Sequence, residues 1–297
     1  MREIANTLQP IHQNVWRLPA VLNFTLGGVG SGIYLVGTFL SCFQEFSTST
    51  NLFYIVSAPL LIILGLFAVS QEAGRPSRAI YLMRNWKQSW MSRETLAAAI
   101  FIPSCFLEVI FSSIFFSLVG FISGLIFLIS QGMIMYKSRG LPAWNIWLTP
   151  VLFVVSGFVA GSGLLLCFLT FSGNTSPYLA FTTLGFLLLD IILWYAYVNY
   201  TQDPAFRLAT RHLRKAKYRF TIPIVGHALP ALVIVVEIYR MLFHPEFLTG
   251  ITSYLAAFAA LIPMYTAYKI RYGIVIKAGF YRKITLYRKP EALSVKV

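Results

Sequence analysis

Three carboxyl groups stand in long apolar runs of a chain that carries only ten Asp and Glu: Glu108, Asp190 and Glu237. An ionisable group in hydrocarbon is costly and as a rule faces a protein interior, where it pairs or carries protons. Glu237 precedes Arg240 by three residues, the spacing of an ion pair on one helix face. Glu108 and Asp190 are candidates for a proton relay, and for Asp190 a hydrogen bond to an adjacent helix is an equal alternative. A second polar set, Glu72, Arg78 and Glu94, lies in residues 70–96, SQEAGRPSRAIYLMRNWKQSWMSRETL, between two apolar runs.

Metal and haem chemistry have little to work with. Of the four histidines, His12, His212, His227 and His244, only His227 falls in an apolar run. A b-type haem held between two facing histidines is thereby excluded. His227, flanked by Pro223 and Pro230, reads as a hydrogen-bonded residue of a bent helix. Cys42, Cys105 and Cys167 have no C-x-x-C spacing, which removes iron–sulfur ligation, structural zinc and a disulfide framework and leaves small packing residues. The glycine-rich TLGGVGSGIY, residues 25–34, has Ile33 where a dinucleotide loop needs its third glycine. On a helix, Gly28 and Gly32 form a small-xxx-small face, extended by Gly27 and Ser31. That face admits either a neighbouring backbone or a flat ring.

The elements that position these groups follow from composition. The 297 residues are 57% hydrophobic and 11% charged, with a mean hydropathy of +0.70. Soluble domains carry about 25% charged residues, so the class is an all-α polytopic membrane protein. No cleavable signal peptide is expected, because the first apolar run starts near Pro19 and is too long for one. Eight stretches are long enough to cross a bilayer: about 20–42, 51–70, 94–114, 116–136, 147–170, 177–199, 222–242 and 250–270. A tight turn near Ser112 to Phe116 separates the third and fourth. Every one of the 24 Lys and Arg except Arg240 then falls on the side of the two termini. The positive-inside rule places both termini in the cytoplasm, in the inner (plasma) membrane. The net charge of +14 is thus a topological signal that meets anionic membrane lipid or an acidic partner, and nucleic acid is not expected. The chain reads as one integral membrane domain of two four-helix bundles, 1–140 and 141–297, the second ending in a basic tail.

The loop after the second span carries a resemblance. Gly74-Arg75-Pro76 stops the helix, Ser92 is positioned to cap the third span, and Glu94 falls in its first turn. G-R-P-x-R-A followed by S-W-x-S-R-E resembles the NrfD-type quinone-interacting anchor subunits of molybdopterin oxidoreductases, among them the anchors of dimethyl sulfoxide and polysulfide reductases. YKSRGLPAWNIWLTP, 136–150, resembles their segment before the fifth span. NFTLGGVGSG is similar to the branch of phenylacetyl-CoA:acceptor oxidoreductase membrane subunits.

The resemblance implies a quinone, menaquinone or ubiquinone, held by the first four spans, with no haem and no iron–sulfur cluster in this chain. It implies a ferredoxin-like iron–sulfur subunit and a molybdopterin catalytic subunit on the cytoplasmic face, in an anaerobic respiratory complex to which this chain contributes the quinone site. Carried over by motif, the quinone-binding residues are Asn23, Gly74, Arg78 and Tyr136, and the acid opening the third span is Glu94. Relatives with His-x-Gly before the loop are matched here by Glu72, a carboxylate that would accept protons from quinol. Glu72 and Glu94 are therefore the expected catalytic acids. All of these positions fall within about two turns of one membrane face. The competing reading is an ion-coupled secondary transporter using Asp190 and Glu108; its expected internal repeat is not evident.

Overall fold

A computed structural model describes residues 11–72, 81, 84–174, 176–243 and 250–281. Six long helices come first: α1 (Leu18–Leu40), α2 (Thr48–Ser70), α3 (Trp90–Phe111), α4 (Ile114–Tyr136), α5 (Leu148–Phe171) and α6 (Pro177–Val198). The short α7 (Pro204–Ala209) crosses the next connection. Helix α8 (Ala216–Phe220) runs through a π-helical stretch, Thr221–Ala228, into α9 (Leu229–Phe243). The last helix is α10 (Ile251–Tyr272).

Seven of these segments, with α8 to α9 taken as one, are long and apolar enough to cross a membrane. This is the expected all-α polytopic membrane fold. Helix α10 has the same length but carries Lys269, Arg271 and four tyrosines and is not among the seven.

Sequence explains the boundaries. Ser112 adopts a left-handed conformation (φ 46°), and the Ser113 hydroxyl accepts from the Phe115 N–H. Two serines therefore reverse the chain between α3 and α4 at the expected turn. The cap of α3 is Ser89 rather than Ser92: its Oγ accepts from the Ser92 N–H, and the helix starts four residues before Glu94. Ser92 lies inside the first turn because Trp90 and Met91 already extend the helix. Among the cysteines, Cys105 and Cys167 are buried, but Cys42 is exposed in the turn after α1 and is not a packing residue.

Helices α1 and α5 are buried over most of their length, whereas α2, α3, α4 and α6 bury one face and turn apolar side chains such as Phe67, Ile110 and Ile114 outward. Only glycine allows the two central helices to touch. A Cβ on Gly32 would lie 2.1 Å from the Gly157 carbonyl oxygen, and one on Gly161 would lie 2.2 Å from the Ile33 nitrogen. The small-xxx-small face of α1 thus meets a second one, Gly157 and Gly161, on α5. Backbone packing fills that face, not a ring.

The first and last described residues meet at one end of the bundle. The Gln13 N–H donates to the Gly279 carbonyl at 2.8 Å, and the Tyr281 N–H donates to the Ile11 carbonyl at 2.9 Å.

Candidate functional site

Near the end of the bundle where the termini meet, three helices bring polar side chains together. Asn23 lies in the second turn of α1, Glu94 in the second turn of α3, and Gln131 five residues before the end of α4. Asn23 Nδ2 donates to Glu94 Oε1 at 3.1 Å. Gln131 Nε2 donates to the same oxygen and to the Asn23 carbonyl, each at 3.2 Å. All three residues are buried. Small residues make the room: a Cβ on Gly27 would lie 2.4 Å from Gln131 Nε2, and one on Gly65 would lie 3.2 Å from Asn23 Oδ1. Trp16 covers this end, stacked on Phe24 at 5.4 Å and edge-on to Trp144.

The cluster is only partly satisfied. Asn23 Oδ1 and Gln131 Oε1 are buried without a hydrogen-bond partner among the described residues. An unmet buried polar atom costs about 1–3 kcal/mol, and native structures keep few of them unless a ligand, water or function explains them. Asn23 Nδ2 uses one of its two N–H groups. The site therefore offers one spare donor, two spare acceptors and a carboxyl group in a protected space.

The other expected residues are distributed around it. Glu72, half-buried at the exit of α2, accepts from the Arg17 N–H at 2.9 Å. A carboxylate suits that place, at the positive end of α1. Arg17 precedes Asn23 by six residues, about 9 Å of helix rise. Tyr136, at the end of α4, is half-buried with Lys137 Nζ 5.2 Å from its ring centre, and its carbonyl accepts from Asn145 Nδ2. Gly74 and Arg78 lie outside the described residues. Gln131 is the member that motif and spacing do not single out: an amide in an apolar run has no period, although its cost in hydrocarbon marks it.

Glu108 belongs to a different cluster at the opposite end of α1 to α4. Tyr34 Oη donates to Glu108 Oε2 at 2.5 Å, and Ser117 Oγ donates to Oε1. Glu108, Asn51 and Tyr54 line a cleft of about 490 Å³ there. Glu94 and Glu108 are 14 residues apart on α3, about 21 Å.

Asp190 finds its partner across helices: Oδ2 lies 2.9 Å from His227 Nε2, and His227 Nδ1 lies 2.8 Å from the Ile222 carbonyl. The π-helical stretch and its prolines turn His227 toward α6. Asp190 and Glu108 thus sit in separate clusters. Arg271 is fully buried in α10; its Nη2 donates to the Phe153 carbonyl at 3.0 Å, and its guanidinium sits 5.3 Å from the Phe153 ring centre. A Cβ on Gly28 would lie 2.5 Å from that guanidinium. Counting charges by side places Arg271 among the flanking cations, since a tally of basic residues cannot tell a flank from a buried helix position. Glu237 and Arg240 pair at 2.6 Å as their spacing predicts, joined by Ser253.

With this geometry in view, comparison with known proteins is informative. A membrane-complex relative, one of the subunits of the sulfite dehydrogenase of Allochromatium vinosum, is 27% identical over 175 residues, covering 50% of this chain and 54% of that protein. The chain thus spans about half the length of that relative. The profile of the DMSO reductase anchor subunit (DmsC) family matches residues 11–276, from before α1 to beyond α10. A match of that extent places every helix of the bundle within one family plan, and the chain belongs to the family of DMSO reductase anchor subunits.

Proposed function

We propose that this chain is the quinone- or quinol-binding anchor of a molybdenum or tungsten oxidoreductase, with the Asn23–Glu94–Gln131 cluster as the core of its quinone site. The carrying observation is the mismatch in that cluster: a buried carboxyl group flanked by two buried, unpartnered amide oxygens and one spare amide N–H. The donor set fits the group. A quinone carbonyl needs an N–H, which Asn23 Nδ2 has to spare; quinol hydroxyls need acceptors, which Asn23 Oδ1 and Gln131 Oε1 supply. When bound, a quinone supplies the two-electron, two-proton carrier between the membrane pool and the partner subunit. Glu94 takes or returns a proton through its carboxylate. Gln131 and Asn23 hold that carboxylate in place. Glu72, at the mouth of α1, is the group to exchange protons with the aqueous side. Gly74, Arg78 and Tyr136 enter by family resemblance, Arg78 as a donor at the rim.

Several finer points follow the same reading. The first four helices form the quinone-site bundle, on the NrfD-type plan, and the phenylacetyl-CoA branch rests on residues 23–32. The partners are a ferredoxin-like iron–sulfur subunit and a molybdopterin catalytic subunit on the cytoplasmic face. The relative's standing as one part of a sulfite dehydrogenase supports a multisubunit setting. Helix α10 is the eighth crossing, because the chain ends pair at one end of the bundle, which requires an even number of crossings.

The test uses the assembled complex. Glu94→Gln keeps the size and an acceptor oxygen but removes the titrating group. General acid–base assistance contributes about 10²- to 10⁴-fold, so quinone-linked turnover falls by at least about tenfold and loses its pH dependence. Transfer from the catalytic subunit to a soluble dye stays at the wild-type rate. Wild-type quinone-linked turnover in the assembled variant would refute this site.

A further inference from the structure

The largest cavity of the protein is not the Asn23–Glu94–Gln131 cluster. It is a cleft of about 780 Å³ between the start of α1, the 212–222 region and the end of α10. Lys215, Lys217, Lys269 and Lys277 line it, with His212 at its edge. No Asp or Glu contributes to the wall, and none of the four lysines has a carboxylate partner among the described residues. The His212 imidazole, outside the helical spans, is held below its ordinary range by burial and then by the positive charges of Lys215, Arg211 and Lys277.

The remaining wall is aromatic and apolar. Tyr265, Tyr268 and Tyr272 follow one another on α10 at three- and four-residue spacing, their rings 6.3 and 5.9 Å apart. Lys269 lies 5.1 Å from the Tyr265 ring centre and Lys277 5.6 Å from that of Tyr272. Leu18, Ile222 and Ile276 complete the lining. Beside it, Phe220, Ile224 and Leu18 expose large apolar side chains at 62%, 50% and 46%.

We propose that this cleft binds the phosphodiester headgroup of an anionic phospholipid. Tyrosine rings and lysine ammonium groups at the ends of apolar helices mark the headgroup level of a membrane. Uncompensated lysines between helices at that level recognise phosphate. The apolar wall that continues along Phe220 and Ile224 gives the acyl chains a surface that free phosphate would not use. The volume exceeds what one phosphate ion fills. A protein partner is disfavoured, because the cleft opens beside lipid-type apolar surface rather than a polar rim. The site stands independently of the quinone reading.

The complex is delipidated in detergent and titrated separately with phosphatidylglycerol, phosphatidylcholine and inorganic phosphate. Bound lipid is counted by native mass spectrometry, and thermal unfolding is followed in parallel. Phosphatidylglycerol binds and raises the unfolding temperature, while phosphatidylcholine and phosphate do neither. Lys269→Gln with Lys277→Gln weakens phosphatidylglycerol binding roughly 10- to 30-fold, the loss of two lysine–lipid attractions. Lys215→Gln with Lys217→Gln, on exposed positions, gives the same direction of change should the first pair disturb α10. Undiminished phosphatidylglycerol binding in both double variants would overturn the proposal. Equal stabilisation by phosphate would overturn it in favour of a free-anion site, and loss of partner subunits with lipid binding intact would overturn it in favour of a protein-docking surface.

Discussion

Gln131 shows how one buried side chain decides whether a carboxyl group is held or left free. It bridges Glu94 on α3 and the main chain of α1 from α4. Gln131→Leu keeps the volume but strips both bonds, leaving the Asn23 carbonyl and a Glu94 oxygen short of a donor. Leaving buried polar groups unmet costs about 1–3 kcal/mol. The assembled complex should therefore unfold at lower temperature, and quinone should bind more weakly. An unchanged midpoint would show that the amide is dispensable. Asn23 and Glu94 were legible because the family motif marks both; Gln131 was not, because one amide in 23 apolar-rich residues has no period.

At the scale of the element, α1 and α5 are the axis of the molecule, and glycines set their separation. In a membrane, association depends on close packing rather than on apolar burial, so small residues at the contact matter more than in water. Gly32→Ala would push a methyl group into the Gly157 carbonyl. Overpacking of that kind costs about 1–3 kcal/mol and should lower the unfolding midpoint. Gly185→Ala on α6, where nothing lies within 4 Å of the new Cβ, is the control. It should be neutral or slightly stabilising, since alanine is favoured over glycine in helices by about 1 kcal/mol. Equal effects at the two positions would remove the packing argument. The face of α1 was readable from the four-residue spacing, but its partner was not, because Gly157 and Gly161 are ordinary in an apolar helix until the two meet. The π-helical stretch is a similar case. Pro223 and Pro230 announced a bend, and the fold used it to aim His227 at Asp190, 37 residues away.

For the whole molecule, the short antiparallel contact between His12 and Phe280 puts the two chain ends on one side. Reporter fusions at residue 1 and after residue 297 should therefore give the same compartment, the cytoplasm by the distribution of basic residues. Opposite compartments would require an odd number of crossings and would remove α10 from the spans. Both expectations come from charge and hydropathy, while the contact between the ends supplies an independent reason.

The amino-acid sequence determined the class of molecule, most helix boundaries and the family, because these depend on local quantities: apolar length, capping serines, glycine spacing and short motifs. Tertiary structure decided which polar groups share a space. Asn23, Glu94 and Gln131 come from three helices; Glu108 was drawn to Tyr34 and Asp190 to His227, apart from each other. Arg271, one basic residue among 24 by sequence, became a fully buried cation against Phe153. The physical reason is that a span's hydropathy tells how deep a residue lies but not which way round the helix it points. Only helix packing fixes that rotation, and with it the partner of every buried charge.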